Sequence, residues 1–133
     1  MKVRGLIAFA IISYVFTTGC IPRSNCVSSG GGKGGTASIS VTPEHHESLV
    51  DSCWVYIKYG TLNTPPNGVY DDSQYCQMVD TVPVARFNNL KAGLYYFYAH
   101  GYHTLYSQYV FGEATCIMCS EHSVSIYCPT ASP

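Results

Sequence analysis

Charge is the scarcest property of this chain. Seven Lys and Arg and eight Asp and Glu make up 11% of 133 residues, with no basic block, so the field that draws proteins onto nucleic acid is absent. Strong helix formers are scarce too: Leu, Lys and Glu are few beside twelve Tyr, twelve Gly and seven Pro. That balance disfavours helices and favours short strands joined by turns. The length supports one packed core and excludes a multidomain enzyme. What is abundant is aromatic and sulfur chemistry, with 14% aromatic residues and seven cysteines.

The amino end reads as an address. Lys2 and Arg4 precede the apolar run Gly5 to Phe16, and small residues lead to Cys20, the layout of a signal peptide over residues 1–19. Thr17-Thr18-Gly19-Cys20 resembles a bacterial lipobox, which implies cleavage before Cys20 and lipidation of its sulfur. An ordinary signal-peptidase cut at the same place is the alternative. The mature chain would carry Arg23, Lys33, Lys58, Arg86 and Lys91 against eight acids, a net charge of −3. Residues 20–35 are rich in Gly and Ser and predict a flexible tether. Gly30, Gly32 and Gly35 spell G-x-G-x-x-G, but no strand precedes it and no helix follows, as a dinucleotide loop requires.

From Thr36 onward the pattern has period two. Ala37, Ile39 and Val41 alternate with Ser38, Ser40 and Thr42 until Pro43, and Cys53, Val55, Ile57 and Tyr59 alternate with Trp54, Tyr56 and Lys58, which reads as two half-buried strands. Thr61 to Asp80 holds Pro-Pro-Asn-Gly and Asp-Asp-Ser turn chemistry and reads as a long loop or irregular edge. Further strands are expected over 82–87, 93–99, 107–111 and 123–128. The expectation is an all-β antiparallel sandwich, Ig-like or prealbumin-like, of six to seven strands over residues 36–129, with 130–133 as a tail.

Phe87, Leu90, Gly93, Tyr95 and Phe97 resemble the F-x-x-L-x-x-G-x-Y-x-F signature of prealbumin-like sandwiches, among them carboxypeptidase regulatory-like and Cna-B-type domains. The resemblance implies a binding, spacing or adhesive module. Related purine-pathway hydrolases end in Tyr-Arg-Gly-Ser, whereas this chain ends Pro-Thr-Ala-Ser-Pro, and the Lys, Asn and acid trio of self-crosslinking members is not identifiable. Neither activity carries over.

Among residues with chemistry, Cys53, Cys76, Cys116, Cys119 and Cys128 are expected to form structural disulfides in an oxidising compartment. Unless the chain turns sharply between them, Cys116 and Cys119, three apart in an extended strand, should each bond elsewhere, Cys76 being one favoured partner for that segment among fifteen complete pairings of six cysteines. No second Cys/His pair completes a zinc site and no ladder of oxygen ligands suits calcium. His45, His46, His100 and His103 lie near turns and read as solvated, forming a site only if the fold joins their loops. No local context marks a nucleophile, so the expectation is a non-enzyme with no catalytic residue, no metal and no cofactor. Strand parity turns Trp54, Tyr56, Tyr96 and Tyr98 outward as an aromatic surface able to stack sugar rings or dock a protein.

The reading is an exported, lipid-anchored module of the bacterial cell envelope, facing the periplasm rather than the cell surface, with the membrane and a glycan or protein as partners and no nucleic acid. A secreted carbohydrate-binding or adhesive domain is the alternative, ahead of a metal-binding protein or enzyme.

Overall fold

The computed structural model describes residues 29–133. The expected signal segment over residues 1–19, together with Cys20 and Cys26, lies outside the described residues. The described chain is all-β, with nine strands: β1 (Lys33–His45), β2 (Ser48–Leu49), β3 (Ser52–Tyr59), β4 (Asp72–Tyr75), β5 (Gln77–Val79), β6 (Val82–Leu90), β7 (Gly93–His103), β8 (Gln108–Met118) and β9 (Ser123–Ala131). They follow one another around a sheet in the order β4-β3-β7-β8-β9-β1-β6-β5, with β2 hairpinned onto β1.

The all-β class is as expected, but the strands number nine where six to seven were expected, and they follow one another in a single barrel-like order. The terminal strands β4 and β5 are consecutive in the chain, separated by Cys76 alone. One extended segment therefore leaves β3 at one end of the sheet and joins β6 at the other, and the sheet is nearly closed into a barrel. Loop chemistry concealed it, because β4 and β5 are short and their side chains are mostly exposed.

Period two places the core. Ala37, Ile39, Val41, Val55, Ile57, Ala85, Phe87, Leu90, Tyr95, Phe97, Val110 and Met118 are buried together, and each large apolar side chain so removed from water contributes about 1.5–3 kcal/mol. Phe87 and Phe97 meet across strands with ring centroids 5.8 Å apart. The Phe87, Leu90, Tyr95 and Phe97 side chains are all inside. Gly93 is required by contact: a Cβ there would lie 2.3 Å from the carbonyl carbon and oxygen of Gly30.

That contact also overturns part of the expected tether. Residues 30–35 are docked against the fold. Leu94 N–H donates to Gly30 O, Lys91 N–H to Gly32 O, both at 2.8 Å, and Gly32 N–H donates to the Tyr95 hydroxyl at 3.0 Å. Gly35 lies in a β-bulge where Leu90 pairs with both Lys33 and Ala37, and a Cβ would meet Leu90 O at 2.0 Å. Glycine here permits close backbone approach. At the other end β9 runs through the expected tail to Ala131, and Pro43 does not end β1, since it stays in parallel register with Cys128.

Candidate functional site

The outward surface of β4, β3, β7 and β8 is assembled by register. Trp54 pairs with Tyr75 on one side and His100 on the other, and His100 pairs with Phe111. Cross-strand neighbours stand on one face, so Tyr75, Trp54, His100 and Phe111 form a single row across four strands. Trp54 and Tyr75 meet edge to face at 5.3 Å, and the Ser52 and Tyr75 hydroxyls lie 2.8 Å apart. His100 and Phe111 stack at 4.7 Å and 9°. Tyr102 and Tyr109 form the next row, ring centroids 5.2 Å apart. Trp54 is 45% exposed and Tyr109 62%. Tyr75 and Phe111 are exposed as well.

The expected surface is therefore half right. Trp54, Tyr56, Tyr96 and Tyr98 do point away from the core, but Tyr96 is only 3% exposed, a correction caused by the long loop. Tyr70 lies parallel over Tyr96 and Tyr98 at 6.5 and 6.1 Å, and Thr64 donates to the Tyr96 hydroxyl at 3.1 Å. Tyr96 in turn donates to the Glu113 carboxylate at 2.5 Å. Burial first, then that bond, push the Tyr96 hydroxyl up to about 12. The loop is held by Asp71, whose N–H donates to Ile57 O at 2.9 Å and whose carboxylate accepts from Tyr59 N–H at 2.7 Å. Tyr56 and Tyr98 are half-buried beneath Tyr70. The open part of the surface is the Tyr75–Phe111 row with Tyr102 and Tyr109. Strand parity reaches His100, Tyr102, Tyr109 and Phe111 as readily as Tyr98; Tyr70 had no local signal, since it sits in a turn-rich segment.

A second cluster lies where β1 and β7 end. His45 and His103, expected as solvated, are each 2% exposed. Their Nδ1 atoms face each other at 3.0 Å, so one proton occupies the space between them. His46 and Tyr106 pack on His45, with centroids 4.1 and 5.4 Å away. His45 Nε2 has no hydrogen-bond partner. Burial first, then His46 and His103, lower the His45 pKa. Beside the pair, Thr104 donates to Asp51, the chief reason that the Asp51 carboxyl is held below its ordinary value. Among the described residues no group of three or more metal-ligating side chains is arranged for a metal ion.

The cysteines divide in two. Cys116, buried in β8, and Cys119, just past its end, each have a partner and do not titrate as thiols. Cys53, Cys76 and Cys128 are buried thiols, against the expectation of disulfides. They sit together, so Cys76 lies not beside the Cys116/Cys119 segment but against Cys53. No protein-family model, curated protein or solved structure matches the chain.

Proposed function

We propose that this chain is an exported, lipid-anchored envelope domain of prealbumin-like type that works as a non-catalytic interaction module, docking its ligand on the outer face of β4, β3, β7 and β8. The observation that carries the reading is the open aromatic row Tyr75, Trp54, His100 and Phe111 beside Tyr109. Rings on a rigid sheet bury much area at little entropic cost, the property of interface hot spots. The leader and the lipobox-like Thr17-Thr18-Gly19-Cys20 support export and anchoring, and the buried Phe87, Leu90, Tyr95 and Phe97 support the family resemblance. A glycan is a specific second possibility for the ligand, because Trp54 and Tyr109 leave ring surface open beside the Ser52 and Tyr75 hydroxyls.

Trp54→Ala combined with Tyr109→Ala tests this on glycan arrays and in pull-downs of envelope proteins. Outward residues hold little of the core, so the thermal midpoint should stay within a few degrees while affinity falls at least tenfold, about 1.4 kcal/mol. Undiminished binding by the double variant would remove this face from the account.

A further inference from the structure

Cys76 occupies a singular place. It is the one residue between β4 and β5, the point at which the chain passes from one end of the sheet to the other. Its N–H donates to Cys53 O at 2.9 Å, and the register of β3 with β4, Trp54 to Tyr75 and Val55 to Gln74, runs on to set Cys53 opposite Cys76. Opposed residues of antiparallel strands have Cα atoms about 4.5–5.5 Å apart, inside the roughly 4.4–6.8 Å that a disulfide spans. Both side chains face the core, at 1% and 4% exposure, and the two sulfurs are neighbours there.

We propose that Cys53 and Cys76 are an oxidisable pair, joined as a cross-strand disulfide that fastens the seam of the barrel, with Cys128 remaining a thiol. The pairing follows from position. Cys128 lies near both sulfurs but comes from β9, whose neighbours are β8 and β1, so it has no strand register with either. The thiols also differ in reactivity. The adjoining Cys53 thiol lowers the Cys76 pKa, whereas the adjoining Cys76 thiol and burial raise Cys53, and burial pushes Cys128 up to about 12. Cys76 lies in the edge connection beside β4 whereas Cys53 lies one strand further in, so opening the edge presents Cys76 first, and its thiolate is the nucleophile.

The oxidant is a disulfide, either small-molecule or the active-site disulfide of a thiol oxidase. With the short β4 edge open, the Cys76 thiolate attacks one sulfur of the oxidant, forming a mixed disulfide and expelling a thiolate. Cys53 then gives up its proton to that leaving thiolate or to water, and its sulfur attacks Cys76 sulfur, expelling the second thiolate. Two protein thiols lose two electrons and two protons, and the oxidant disulfide becomes two thiols. The outer ligand plays no part in this step.

The test uses the full chain in two arms: protein recovered from an oxidising compartment, and reduced protein equilibrated with oxidised glutathione. Each is alkylated under denaturing conditions without reductant, digested and weighed. The expected result in both arms is that Cys53 and Cys76 escape alkylation together, their peptides travelling as one until reductant is added, while Cys128 is alkylated. Full alkylation of Cys53 and Cys76 in the glutathione arm, or a bond from either to any other cysteine, overturns the proposal. Linkage in the glutathione arm alone upholds the pair and counts against export instead.

Discussion

At His45 a buried imidazole faces another across one hydrogen bond and has an unpartnered nitrogen behind it. Protonating His45 would place a charge away from water beside two further imidazoles, so burial first and then His46 and His103 lower its pKa and favour the neutral form in the fold. The unfolded chain takes up its proton near 6.5, and the folded chain resists until lower pH. The stabilising contribution is complete above about pH 6.5 and is lost as the pH falls through the folded value. Asp51, whose ordinary value is 3.8 and whose folded value is lower, acts in the same direction but below that window. Urea midpoints should therefore fall from about pH 7 to about pH 5, and His45→Asn should flatten the fall. A midpoint unchanged or rising on acidification would contradict the assignment. His45 was within reach of sequence parity, since it keeps step with Ile39 and Val41 just as His103 keeps step with Phe97 and Ala99. Ending the strands at Pro43 and Ala99 turned both histidines into loop residues.

The elements show where period two suffices and where it does not. In β3, Cys53, Val55 and Ile57 are inside and Trp54 is outside, as alternation demands, because one wall of a β-barrel faces the core and the other faces water. Turns are less legible. The β5–β6 hairpin closes Val79 to Val82 through Asp80 and Thr81, both left-handed at φ 48° and 68°. Two-residue hairpins of this type favour Asn and Gly, and a β-branched residue there is strained by about 1–2 kcal/mol. Thr81→Gly should remove that strain, part of the gain being offset by the greater freedom of Gly in the unfolded chain. The expected net effect is a stabilisation of about 0.5–1 kcal/mol in urea titration. A loss of stability would mean that the Thr81 side chain holds the hairpin in place. The β1–β2 hairpin repeats the device at His46 and Glu47, at 51° and 60°, and no glycine announced either turn.

At the scale of the molecule, sequence gives the strands and their faces but not their order. Closure depends on β4 and β5 lying at opposite ends of the sheet, and on β1 pairing in parallel with β9 across more than eighty residues. Such long-range pairings leave no local pattern. The same ordering puts Trp54, His100 and Phe111 in one row and lets the loop bearing Tyr70 cover Tyr96, which is why the candidate surface was visible in outline and wrong at one end. The central claim, that this outer face receives the ligand, is tested most directly by a photo-crosslinking amino acid on producing cells. Placed at Tyr109, 62% exposed in β8, it should capture a discrete protein or glycan on irradiation. Placed at Tyr127, 66% exposed on the β9 wall, it should not. Capture at Tyr127 alone, or the same products at both positions, would contradict the account.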